Sequence, residues 1–449
     1  MKFDRGLGVM KLGRSILLLL VGLFLPFGAA VQGSSSPQAN ELFTLSSADC
    51  VSVHADGEPW DECGFQSFAM SPNGSRVLTV SARGTIQLWN ERGEELREVD
   101  WPDQPGGASG YPDARTLIFE QFAIAVVHQN QVVVLDLIDG DILAQTATDA
   151  MYIYELKPDA GLSVLVGFRL WDWRGRYAAE LTLPDGQLRE VEDLDNLRRT
   201  GPGYRISGKQ APFTLFRTAG DPVEIKLERS CMPINERFCS WRHIPSHTVH
   251  VLDIETGQWS DFDLGKTLTS QDSVEVIPAG ESLFAVVCGR SISYFPSLKP
   301  CSVRNLRSGQ AVHHFQASRY RTAGFVSSSG SSELRLTLQS GNDWNTITVS
   351  EDGTAYTLVA NEAAWLGSPD GNLLVPQGAK KSVLTTVHGE ELVHFPFPAL
   401  TCGIGWPSWS TNCKIASDGS RWLVAKRPSS DSDDNAVSLT MYKVPIFHR

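Results

Sequence analysis

Phe68-Ala69-Met70-Ser71-Pro72-Asn73-Gly74-Ser75-Arg76-Val77-Leu78-Thr79-Val80, followed by Gly84-Thr85-Ile86-Gln87-Leu88-Trp89-Asn90, is the stretch on which the fold turns. It reads as a strand, a Pro-Asn-Gly turn, a second strand, a glycine-marked turn and a third strand. Asn73-Gly74 supplies the positive φ that a tight hairpin demands. The alternation from Thr85 to Trp89 has the two-residue period of a half-buried strand.

The first half of this unit recurs along the chain. Lys157-Pro158-Asp159-Ala160-Gly161 leads into Ser163–Val166, and Pro278-Ala279-Gly280-Glu281 into Leu283–Val286. Ser368-Pro369-Asp370-Gly371 leads into Leu373–Val375, and Ser417-Asp418-Gly419 into Trp422–Val424. The second half, an apolar strand running into a turn with a nearby glycine, recurs at Val132–Leu137, Val249–Ile254, Val303–Leu306 and Val383–Val387. Weaker copies lie at Ala179–Leu183, Phe213–Phe216 and Thr346–Val349. A last strand, Val437–Val444, has no partner strand after it.

Short strands repeating every 35 to 55 residues or so, without helical periodicity, mean four-stranded sheets arranged radially, a β-propeller. The fold class is all-β, one propeller over residues 41–449. The irregular stretch 200–265 reads either as one elaborate blade or as two; one gives eight blades, the preferred count within seven to nine. The unpartnered last strand, with Leu42–Leu45 near the N-terminus to complete its blade, implies a ring closed by both termini. Such closure removes unprotected sheet edges.

Residues 68–90 resemble one WD40 repeat, with Leu88-Trp89-Asn90 where that family ends in Trp-Asp. The resemblance is close there and faint elsewhere. No Gly-His dipeptide precedes any unit, so the resemblance does not extend to the family's internal hydrogen-bond tetrad.

The eight cysteines sit as close couples: Cys50/Cys63, Cys231/Cys239, Cys288/Cys301 and Cys402/Cys413. No C-x-x-C occurs and no couple has histidines at finger spacing, so no metal site is expected. Local disulfides are expected instead, and these persist in oxidising compartments. The N-terminus agrees. Lys2, Arg5, Lys11 and Arg14 precede an apolar run from Ile16 to Val31, broken by Pro26 and ending near Gly28-Ala29-Ala30. This is the pattern of a cleavable signal peptide over residues 1–30, with Met1 or Met10 as the start. Residues 31–40 then read as a flexible lead-in. No transmembrane segment is expected after cleavage, and the location is periplasmic or secreted.

The net charge of −12 argues against nucleic acid and anionic membrane surfaces as partners. No catalytic motif is found. Gly107-Ala108-Ser109-Gly110 falls one residue short of a nucleophile elbow. His243, His247 and His250 look clustered, but in an extended chain His247 and His250 point to opposite faces, and the adjacent His313 and His314 diverge for the same reason. Asp431, Asp433 and Asp434 lack the glycine and glutamate of a calcium loop. Trp406 and Trp409 lie inside the loop that Cys402/Cys413 would close, and rigid exposed rings there would make a binding surface. The competing reading is that both rings cover the core between the last blades.

The expected function is therefore an exported scaffold that binds a protein partner in the cell envelope or outside the cell, with no catalytic chemistry and no cofactor. Two other readings remain open. Leu252–Trp259 resembles the docking motif of quinone-cofactor dehydrogenases, with tryptophan too soon after Gly257. Carbohydrate recognition through Trp406 and Trp409 is a third reading.

Overall fold

The computed structural model describes residues 37–445 apart from 54–59, 101–113, 128–130, 148–151, 159–161, 170–175, 192–199, 202–203, 208–210, 218–223, 236, 244–247, 265–272, 290–298, 327–329, 341–342, 361–364, 367–372, 377–380, 387–389, 398–412 and 427–435. The expected signal peptide lies outside the described residues. Among these residues every regular element is a strand, and no helix is long and apolar enough to cross a membrane.

Two short strands open the chain, β1 (Asn40–Leu45) and β2 (Cys50–Val53). The first set of four follows: β3 (Trp60–Met70), β4 (Arg76–Ser81), β5 (Ile86–Asn90) and β6 (Glu95–Val99). The second set is β7 (Arg115–Phe119), β8 (Phe122–Val127), β9 (Gln131–Asp136) and β10 (Ile142–Ala147). The third is β11 (Tyr152–Pro158), β12 (Ser163–Arg169), β13 (Arg176–Thr182) and β14 (Gln187–Val191). The fourth is β15 (Thr200–Gly201), β16 (Tyr204–Ser207), β17 (Phe213–Arg217) and β18 (Glu224–Leu227). The fifth is β19 (Met232–Pro233), β20 (Phe238–His243), β21 (Thr248–Asp253) and β22 (Gln258–Asp263). The sixth is β23 (Ser273–Ala279), β24 (Ser282–Cys288), β25 (Lys299–Asn305) and β26 (Ala311–Ala317). The seventh is β27 (Arg319–Val326), β28 (Ser332–Ser340), β29 (Asp343–Ser350) and β30 (Ala355–Ala360). The eighth is β31 (Trp365–Leu366), β32 (Leu373–Pro376), β33 (Ser382–Thr385) and β34 (Glu391–Phe395). The ninth joins β35 (Cys413–Ile415), β36 (Arg421–Lys426) and β37 (Ala436–Lys443) to β1 from the other end of the chain.

The fold is all-β, in the architecture of a β-propeller. Each set is an antiparallel meander, and seven of them are separate four-stranded sheets. The eighth sheet has nine strands, because β3 pairs in parallel with β37 at Cys63↔Ala436 and Gly64↔Val437 and so joins the first and ninth sets, with β2 added on β3. The stretch 200–265, expected to form one elaborate blade, contains the fourth and fifth sets. Residues 37–39, read from sequence as part of a flexible lead-in, are held: Gln38 bridges His394, and the Ala39 N–H donates to its carbonyl at 2.9 Å.

Burial follows strand position. Middle strands are covered on both faces: β8 is buried throughout, and Val132–Leu135 of β9 are fully enclosed. The fourth strands β10 and β22 face outward, with side chains exposed or half-buried, whereas β34 buries Leu392, Val393 and Phe395. Hence apolar runs mark the middle strands and mixed composition the outer ones. The core is a series of apolar clusters between neighbouring sets. Leu78, Ile86 and Leu88 meet Ala123 and Val133. Phe122 and Val134 meet Val164 and Leu181. Phe395 meets Trp422 with ring centres 4.8 Å apart. Leu423, Leu439 and Met441 of the ninth set pack on Phe65 and Val77 of the first.

Candidate functional site at the long-connection end

In an antiparallel meander the turns joining strands one to two and three to four lie at one end of the sheet. The turn joining two to three and the link to the next set lie at the other. First strands of neighbouring sets run side by side, β3 against β7, β7 against β11 and β23 against β27. These sets therefore present matching ends.

The turn end is cross-linked between sets by arginines. Arg76 of β4 donates from Nε to the Leu137 carbonyl at 2.9 Å, reaching from the first set to the second. Arg237 donates to Asp253 within the fifth set, and its Nη1 lies 2.8 Å from Glu281 of the sixth. Asp253 holds the Arg237 guanidinium above its ordinary value. Arg421 of the ninth set donates to the Gly74 carbonyl and pairs with Glu91, both at 2.9 Å. Arg421 holds the Glu91 carboxyl below the usual range, through its hydrogen bond first and its charge second. Main-chain carbonyls and bidentate geometry suit arginine's fork.

The longest connections leave from the opposite end: Val99 to Arg115, Asp263 to Ser273, Cys288 to Lys299, Phe395 to Cys413 and Lys426 to Ala436. Disulfides sit at the roots of this end. Cys288 closes β24 and bonds Cys301, its direct partner across β25, with Cα atoms 4.1 Å apart. Cys50 bonds Cys63 across β2 and β3 with the same Cα separation. Cys413 opens β35 and is also disulfide-bonded. Its expected partner Cys402, with Trp406 and Trp409, lies outside the described residues. The Cys231–Cys239 bridge is different, buried in the cluster between the fourth and fifth sets.

Two polar clusters escaped the sequence reading. Across the middle of the fifth set, His250 stands opposite Trp241 on one side and Asp261 on the other. Its Nδ1 lies 2.5 Å from Asp261 Oδ1 and 3.0 Å from Arg229 Nη1, and its ring stacks on Trp241 at 4.8 Å. Donating to Asp261, Nδ1 has no lone pair left for Arg229. Arg229 also lies over the Trp241 ring, 5.2 Å from its centroid. On the adjacent first strands β23 and β27, Glu275 accepts from the Thr322 hydroxyl at 2.7 Å. Burial and then the Glu275 charge push the Tyr320 hydroxyl up. Both clusters join residues by cross-strand register, which sequence spacing does not reveal.

The other sequence candidates resolve simply. Asn73 Oδ1 accepts from Ser71 and Ser75 and closes the turn before β4. Trp89 Nε1 donates to Thr79 at 2.9 Å, locking β5 to β4. Leu252–Trp259 forms the β21–β22 turn, with Asp253 Oδ1 accepting from the Glu255 N–H and Trp259 packed in the core cluster. His247, Ser109 and Asp431–Asp434 lie outside the described residues.

No protein-family profile matches the chain, and no curated protein does. Similar solved structures include the Dos1 propeller, 11% identical over 90% of this chain and 96% of that one, TM-score 0.38. The C-terminal WD40 domain of Sif2 is 9% identical over 91% and 99%, TM-score 0.40. The dihydro-heme d1 dehydrogenase NirN, in complex with DHE, is 12% identical over 74% and 75%, TM-score 0.37. At these values nothing about binding or catalysis passes from them to this chain.

Proposed function

We propose that the chain is an exported protein-interaction scaffold, periplasmic or secreted, built as a closed ring of nine blades that docks its partner on the long-connection end. The observation that carries this reading is the asymmetry of the two ends. At the turn end Arg76, Arg237 and Arg421 tie the first set to the second, the fifth to the sixth and the ninth to the first. At the other end lie the roots of the longest connections, two of them at disulfide-bonded cysteines, Cys288 and Cys413. Clamping a loop at its base lowers the entropy lost when it orders against a partner. Loops on a rigid scaffold are where binding residues concentrate. The pairing of β1 with β37 and of β3 with β37 supports closure through the termini. The disulfides support an oxidising destination.

The docking loop proposed is 402–413, with Trp406 and Trp409 as its anchors. The test is the double variant Trp406→Ala/Trp409→Ala, compared with wild type in cross-linking to envelope and extracellular proteins and in thermal melting. Loss of one defined cross-linked partner with an unchanged melting temperature is the expected result. Retained cross-linking with a strongly lowered melting temperature would place both rings in the core and remove this loop from the interface.

A further inference from the structure

We infer that the Cys50–Cys63 disulfide is a thiol-exchange site, and that opening it frees β2 from the first set while the set itself stays folded. Three described bridges differ in what covers them. Cys231 and Cys239 are 2% and 0% exposed, and Cys288 and Cys301 are 0% and 5% exposed. Cys50 is exposed and Cys63 half-buried. Exchange needs a thiolate to reach a disulfide sulfur in line with the bond it breaks, so access separates the three bridges.

The surroundings define what opening would do. Among the described strands β2 pairs with β3 alone and belongs to no set of four. The two strands meet over Cys50↔Cys63, Val51↔Glu62, Ser52↔Asp61 and Val53↔Trp60. From Phe65 onward β3 turns to a different partner, β4. Gly64 is the joint between the two halves, with φ of +83°. Its N–H donates to the Asp49 carbonyl at 2.9 Å, and Asp49 Oδ2 accepts from Ser81 and Thr85. The first set therefore stays anchored up to Asp49 without the bridge. Beyond Asp49, the described contacts of β2 include its ladder to β3 and a bond from Arg83 to the Cys50 carbonyl at 3.5 Å. The Cys63 half of β3 is held by β37 at Cys63↔Ala436, whereas β2 is an edge strand whose backbone is paired on one side.

The chemistry balances with a dithiol as co-reactant. Its thiolate attacks Cys50 Sγ, the bond between the cysteines breaks, and Cys63 leaves as a thiolate that takes up a proton. The second thiol of the reagent then displaces Cys50, giving two protein cysteines and one reagent disulfide. Because β2 and the Cys63 half of β3 stand at the long-connection end, this opening would alter the surface assigned above to partner docking. The inference itself does not require that assignment.

The test uses the whole folded protein. It is titrated with dithiothreitol without denaturant, alkylated and mapped by mass spectrometry. Cys50 and Cys63 are expected to label at a reductant concentration about tenfold or more below that needed for Cys231, Cys239, Cys288 or Cys301. Hydrogen exchange on the singly reduced protein should quicken in residues 50–63 and stay slow in residues 65–81. Simultaneous labelling of all three bridges, or earlier labelling of the buried pairs, would overturn the site. Exchange that quickens equally through residues 65–81 would overturn the local release. The double variant Cys50→Ser/Cys63→Ser should reproduce the exchange pattern of the reduced form.

Discussion

Burial first, and the neighbouring charge of His314 second, hold the His313 imidazole below its ordinary value of 6.5. The unfolded chain thus takes up this proton at a higher pH than the folded one. The linked contribution to stability is complete above about pH 6.5 and declines as pH falls through that value toward the lower folded one. His313→Gln should therefore flatten the loss of stability between about pH 7.5 and pH 5, read as denaturant midpoints of variant and wild type. Parallel pH curves for the two proteins would show that His313 carries no such linkage. At this scale the sequence was legible where a residue acts on near neighbours. Asn73-Gly74 closes its hairpin as read, and Ser417-Asp418-Gly419 forms the turn before β36, with Asp418 Oδ1 accepting from Ser420. It was illegible where partners meet by register, as His250 and Asp261 do across β21 and β22.

The strands most visible in the sequence are third strands such as β9, β21 and β25, because each is an apolar run that leads to a glycine-bearing turn. Each of the recurring second halves read from sequence, from Val132–Leu137 to Val383–Val387, falls on the third strand of a set, and so does the lone last strand. First strands are harder to read. β15, β19 and β31 have two residues each, too short to show a period of two. With β15 and β19 hidden, the fourth and fifth sets merged into one expected blade, which accounts for eight expected against nine sets described. Within an element, the bend of β3 at Gly64 is the most demanding point. A Cβ there would lie 2.3 Å from the backbone nitrogen and oxygen of Val437, at a φ that L-residues avoid. Gly309 has a φ of +70° but no atom within 4 Å of its would-be Cβ. Gly309→Ala should cost only the backbone term, roughly 1–2 kcal/mol. Gly64→Ala should cost more than that, because β37 must also move. Chemical denaturation of the two variants is the measurement, and equal losses would mean that β3 and β37 are not in close contact.

Over the whole molecule the stretch from residue 37 to 45 does the most with the fewest residues. It bridges the eighth set at His394, supplies the fourth strand of the ninth, and sends Leu45 into the cluster shared with Phe65 and Val77 of the first. The register from Glu41↔Tyr442 to Leu45↔Leu439 contains a shift between Glu41 and Phe43, so the two ends of β1 present their side chains differently. Leu42 is 41% exposed, whereas Leu45 is 4% exposed. If this strand closes the ring, its stabilisation enters through the buried position. Leu45→Ala should then lower stability by about 2–5 kcal/mol and Leu42→Ala by no more than about 0.5 kcal/mol. Deleting residues 37–45 should go further, because it bares the edge of β37 along with the apolar cluster beneath, and should broaden the unfolding transition. A sharp, unshifted melt in the deletion, or equal losses for the two leucine variants, would mean that the ninth set holds without β1 and that closure depends on the β3–β37 pairing instead.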